Sequence, residues 1–151
     1  MRGSSRRQFV SSTGAALSFA ALSPRSAPGQ VQAPTKTRLI LLGTAGGPRP
    51  RKSRAAPSQV IVVNNAAYVV DCGNGVAFQL VRAGLPLSAV RHIFITHHHS
   101  DHNADYGNLL LLAWVSGLQN RVDTWGPPPL ARMTSLFFEM NAYDIATRIS
   151  D

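Results

Sequence analysis

Five of the six residues from His97 to His102 carry side chains that bind divalent metals: His97, His98, His99, Asp101 and His102. They follow the apolar run Ile93-Phe94-Ile95-Thr96 and precede a longer one, Leu109 to Val115. On an extended backbone just past a strand, residues 97 and 99 project to the same side. Two imidazoles can then grip one ion while His98 points elsewhere. Asp101 and His102 stand at the start of the following helix, placed to serve a second ion beside the first, as in two-metal hydrolases. Imidazole and carboxylate donors suit zinc, with manganese or ferrous iron as alternatives.

The elements that must position this cluster are legible in the hydrophobic pattern. Thr37 to Leu42 predicts a short strand, closed by the flexible stretch Gly43-Thr44-Ala45-Gly46-Gly47-Pro48. Gln59 to Val63 and Tyr68 to Val70 predict two more, joined by a hairpin turn at Asn64-Asn65. Gly75 to Ala83 predicts a helix with Ala77, Leu80 and Val81 at helical spacing, ended by Gly84 and Pro86. Val90 to Ile95 is the strand that delivers the histidines. His102 to Val115 reads as one helix, Val122 to Trp125 as a short strand, and Leu130 to Ile149 as one helix. The core side of that last helix is expected to carry Met133, Leu136, Phe137, Met140 and Ile145. Trp114, Phe138 and Tyr143 are expected to pack as well. Strand–helix alternation after an initial run of strands predicts a layered α/β structure.

Composition sets further bounds. The 151 residues carry a formal charge of +8 and a single cysteine, Cys72, which rules out a disulfide framework within the chain. Much of the charge sits in Arg2, Arg6, Arg7 and Arg25, and without them about +4 remains. Ser5-Arg6-Arg7-Gln8-Phe9-Val10 followed by the mild apolar stretch Gly14 to Leu22 resembles a twin-arginine export signal, a receptor-read address rather than an anchor. Residues 1–33 are therefore expected to be signal and linker, residues 34–151 the folded part, and the location periplasmic or secreted. Arg49, Arg51, Lys52 and Arg54 form one basic run. It has no interleaved aromatics, so no stacking platform for nucleic acid is expected there; an ordinary solvated loop is the favoured expectation, and attraction of an anionic ester, or of RNA in the nuclease reading, is the alternative.

Thr96-His97-x-His99-x-Asp101-His102 resembles the signature of the metallo-β-lactamase fold superfamily. Leu41-Leu42-Gly43-Thr44-Ala45-Gly46, Val70-Asp71-Cys72-Gly73 and Trp125-Gly126-Pro127-Pro128 resemble further stretches of its ribonuclease Z-like and arylsulfatase-like branch. The resemblance covers roughly residues 37 to 149 and implies the N-terminal half of an αββα sandwich. It implies His97 and His99 as ligands of one metal and Asp101 and His102 as ligands of another. The family's remaining ligands, two histidines and a bridging aspartate, match nothing after His102, so the resemblance implies about half a site and a larger parent enzyme.

In that parent, a metal-activated hydroxide would attack the substrate, with Asp101 orienting it or accepting its proton. Asp71 would either hydrogen-bond a ligand histidine or cap the turn at Gly73, and the Thr96 hydroxyl would hold the loop. The expected activity is hydrolysis of a small anionic ester, a sulfate or phosphodiester, with the 151-residue chain itself expected to be inactive. The alternatives are a ribonuclease Z-like tRNA 3′-processing endonuclease and a non-catalytic metal-binding fragment. The expected partners are the ester and the twin-arginine export machinery, with a homodimer of the complete enzyme and no stable nucleic-acid partner.

Overall fold

The computed structural model of the chain describes residues 37–150, so the expected signal and linker at 1–33 lie outside the described residues. One five-stranded sheet organises the rest, in the order β1-β2-β3-β4-β5. The strands are β1 (Arg38–Gly43), β2 (Ser58–Val63), β3 (Ala66–Val70), β4 (Val90–Phe94) and β5 (Asp123–Trp125). β2 runs antiparallel to both β1 and β3, and β4 and β5 are added parallel to β3. Asn64 and Asn65 turn the β2–β3 hairpin with φ of 48° and 65°, the left-handed pair that a tight two-residue hairpin demands.

Parallel strands need crossovers, and helices supply them. The helix α1 (Val76–Arg82) and a short 3₁₀ turn, Leu87–Ala89, connect β3 to β4. Two further helices, α2 (Ser100–Asn103) and α3 (Tyr106–Val115), connect β4 to β5, and α4 (Leu130–Met140) and α5 (Ala142–Ser150) follow. This is the α/β layering that the pattern predicted.

The period-2 alternation of the strands divides the sheet into two unlike faces. Val60 pairs with Val69 and Val69 with Ile93, and all three are fully buried with Val76 and Leu80 of α1 and Leu109 of α3. The opposite face carries Leu39, Leu41, Ile61, Phe94 and Trp125, all exposed. Across it Tyr68, His92, Phe94 and Trp125 form a ladder of stacked rings with centroids 5.0, 6.2 and 6.5 Å apart.

Two helices are shorter than predicted. The expected helix from His102 to Val115 breaks at Ala104–Asp105, because the Asp105 N–H donates to the Cys72 carbonyl at 2.9 Å instead of extending the α2 ladder. The expected helix from Leu130 to Ile149 breaks at Asn141, which leaves the helical region (φ −98°, ψ 12°) while its side-chain amide donates to the Phe137 carbonyl at 2.8 Å. The break also revises the core side of this segment. Leu130 is buried, Met133, Phe137 and Ile145 are half-buried, and Leu136 and Met140 are exposed. Trp114, Phe138 and Tyr143 are exposed as well, Tyr143 by 87 %.

Candidate metal centre at the strand ends

β3 and β4 run parallel and end side by side, so the loops that leave them meet at one edge of the sheet. The first loop starts at Asp71, whose φ of 59° lies in the left-handed region that aspartate tolerates better than most residues. The second is the histidine segment. Cys72 ties them together: its N–H donates to the His102 carbonyl at 2.7 Å, and its carbonyl accepts from the Asp105 N–H. Gly73 sits so close to this junction that a Cβ there would meet the Asp101 carbonyl oxygen and the Ala56 side chain.

Asp71 is buried, and every hydrogen bond of its carboxylate goes to the histidine segment. Its Oδ1 accepts from the Thr96 N–H at 2.8 Å, and the Thr96 hydroxyl lies 3.0 and 2.9 Å from its two oxygens. Its Oδ2 lies 2.7 Å from His102 Nδ1. An ionised carboxylate only accepts, so Thr96 and His102 must both donate to it. Thr96 Oγ1, its proton spent on Asp71, is then left to accept from His97 Nδ1, 3.0 Å away. One buried carboxylate thereby sets two tautomers: both His97 and His102 carry their proton on Nδ1 and present a bare Nε2. Of the two roles expected for Asp71, the structure shows the hydrogen bond to a histidine.

The bare nitrogens face other donors. His97 Nε2 lies 3.1 Å from His99 Nδ1, and His102 Nε2 lies 3.6 Å from Asp101 Oδ2. Two nitrogens held by one tetrahedral zinc, each about 2.0–2.1 Å from it, stand roughly 3.3 Å apart. Both pairs have the separation of two donors on one ion, and the His97 and His102 rings lie only 4.1 Å apart between centroids. These separations suit donors that share a divalent ion, so the side chains at this edge fit divalent-metal binding. Among the described residues no group of three or more His, Cys, Asp or Glu side chains is gathered to hold one metal ion.

His98 points away from the others. Its Nε2 lies 2.7 Å from the Pro127 carbonyl, to which it donates, and its Nδ1 lies 3.2 Å from the Asn103 amide, from which it accepts. Both ring nitrogens are spent fastening the motif to the turn after β5. Burial pushes the Cys72 thiol well above the ordinary cysteine range, and the neighbouring Asp71 and Asp105 carboxylates push it the same way. Cys72 is packing and scaffold, not a thiolate. Sequence reasoning missed Asp105, whose Oδ2 accepts from the Gly75 N–H at 2.6 Å and locks the start of α1 to the motif helices. No local signal marks it, because the sequence reads Asp105 as part of one helix from His102 to Val115 and its partner lies 30 residues away.

Known proteins resemble this chain in sequence and fold. The profile of the metallo-beta-lactamase superfamily matches residues 54–124. Ribonuclease Z from Mycobacterium sp. strain KMS is 38 % identical over 114 residues, which cover 74 % of this chain and 40 % of that protein. Ribonuclease Z from Mycobacterium bovis strain BCG / Pasteur 1173P2 is 33 % identical over 115 residues, 74 % of this chain and 41 % of that one. The crystal structure of the short form of human tRNase Z superposes with a TM-score of 0.61 at 30 % identity, over 69 % of this chain and 39 % of that one. A metallo-beta-lactamase fold protein from Bacillus subtilis shares the fold, with a TM-score of 0.54 at 23 % identity over 63 % of this chain and 38 % of that one. The chain thus spans about 40 % of the length of the curated relatives it matches.

These relatives correct the expectation of no stable nucleic-acid partner, because the curated ones are named for RNA cleavage. That expectation leaned on an export reading of residues 1–33 and on the lack of aromatics near the basic run, which argues against base stacking and leaves phosphate contact open. Motif, fold and sequence likeness agree: the chain is similar to the metallo-beta-lactamase superfamily over residues 54–124 and, more closely, to its ribonuclease Z-like branch.

Proposed function

We propose that this chain carries the metal-binding edge of a ribonuclease Z-like endonuclease that hydrolyses a phosphodiester of RNA at the 3′ side of tRNA precursors. The observation that carries the reading is the paired donor geometry, His97 with His99 and Asp101 with His102, in a chain 38 % identical to a ribonuclease Z across this region. That likeness supports the nuclease over a small-ester hydrolase. No feature of the described residues favours the ester.

His97 and His99 would hold one ion through Nε2 and Nδ1, and Asp101 and His102 the other. Zinc suits this mixture of imidazole and carboxylate best. When bound, such ions supply Lewis acidity and an activated water for phosphodiester hydrolysis. The protein's own share is preorganisation. Asp71 fixes His102 directly and His97 through Thr96, so neither ring must reorient on loading. Asp101, buried beside His102, is the carboxylate placed to orient the attacking water or to take its proton.

The test is a 3′-extended tRNA transcript mixed with the zinc-loaded chain and read by footprinting, with the Asp101→Ala variant as control. Zinc-dependent protection of the 3′ junction, lost in D101A and on addition of a chelator, is the expected result. A zinc-loaded chain that leaves the junction as exposed as a chelated one contradicts the proposal.

A further inference from the structure

We infer that the groove between the basic loop and α1 is a binding track for an RNA sugar–phosphate strand, with Arg82 and Gln79 of α1 as contacts in addition to the loop cations. The inference rests on the nuclease reading above. Two cavities of about 370 and 210 Å³ lie under the 44–57 loop. They share Arg51, Arg54, Ala55 and Gln79, so they form one continuous groove. One end reaches Asn74 and Gly75, the residue fastened to Asp105 beside the metal-ligand candidates. The other end reaches Lys52 and Arg82 at the last turn of α1.

Three features specify the occupant. Arg49, Arg51, Lys52, Arg54 and Arg82 line the groove, no acidic side chain does, and none of the five cations sits in a salt bridge among the described residues. Unneutralised cations converging on a cleft favour a polyanion. No aromatic side chain lines either cavity, which fits recognition of backbone rather than bases. The groove also has length: from Gly75 to Arg82 the helix rises about 10 Å, enough for more than one phosphate. Arg82 is held ready, its guanidinium 5.7 Å from the centroid of the Phe78 ring. Arg51 is likewise steadied by a hydrogen bond from Nη2 to the Gly46 carbonyl at 3.3 Å.

The experiment is equilibrium binding of a fluorescein-labelled, 3′-extended tRNA transcript to the full chain across a salt series. The variants are Arg82→Glu and, as a charge control on an exposed position of α4, Arg132→Glu. R82E is expected to weaken binding about tenfold and to lower the salt slope by about one, with R132E close to the unaltered chain. Zinc uptake, which does not involve Arg82, is expected to stay the same in both and reports that they fold. Unchanged RNA affinity in R82E, or an equal loss in R132E, overturns the groove while leaving the nuclease reading intact. Failure of the unaltered chain to bind the transcript overturns both.

Discussion

The two faces of the sheet are built from the same kinds of residue and end up in opposite conditions. Val60, Val69 and Ile93 on one face lie sealed beneath α1 and α3, whereas Leu39, Leu41, Phe94 and Trp125 on the other stand open. A sheet that is apolar on both sides is the pattern of strands meant to be covered twice. The candidate metal centre belongs to the sealed side. Its loops run from β3 into α1 and from β4 into α2 and α3, and Asp71, Cys72 and Asp105 stitch those loops together by side chain and backbone. The difference teaches that the geometry of His97, His99 and His102 is a product of local packing and local hydrogen bonds, independent of whatever covers the open face.

Substitutions separate the two faces, and the largest effect is expected on the sealed one. Leu109 is fully buried in α3, and Leu109→Ala should cost about 2–5 kcal/mol, read as a lower denaturant midpoint. Gly73→Ala comes next. Its Cβ would strike the Asp101 and Pro57 carbonyls, backbone atoms that cannot swing aside, so a loss of about 1–3 kcal/mol is expected together with weakened zinc binding. Asp71→Ala leaves the His102 Nδ1–H and the Thr96 N–H without an acceptor and frees both histidine rings. Zinc affinity should fall about 10- to 100-fold, a change that titration calorimetry resolves.

Smaller effects follow. Cys72, buried with its thiol held neutral, should resist iodoacetamide in the folded chain even at pH 9 and react once the chain is denatured. Native alkylation at the rate of a free thiol would show that the two loops part in solution. On the open face, Trp125→Ser should shift stability by only about 0.5 kcal/mol, while reducing binding of an apolar dye such as ANS. A loss there as large as that of L109A would mean the open face is not open.

Much of this was legible in the sequence, for a physical reason: strands and hairpins announce themselves through neighbours. Val60, Val62, Val69 and Ile93 alternate visibly, and Asn64-Asn65 can do little but turn. The pairing of 97 with 99 was likewise a local matter of extended backbone. What stayed hidden depends on partners distant in the chain. Asp105 falls inside the single helix read from His102 to Val115, yet its carboxylate serves Gly75, 30 residues away. That His98 points away from the pair was expected from the extended backbone, but its partners, Pro127 and Asn103, were not visible. Asn141 carries no mark that distinguishes it from a surface position within a long helix. Arg82 and Gln79 are ordinary helix residues until the 44–57 loop folds over them.

The central claim, that His97 with His99 and Asp101 with His102 form two separate metal-holding pairs, is tested most directly by cobalt titration of the chain followed by visible absorption. Each pair should contribute its own ligand-field bands. His97→Ala with His99→Ala should remove one set, and Asp101→Ala with His102→Ala the other. Bands that survive all four substitutions, or a folded chain that takes up no cobalt, would contradict the account.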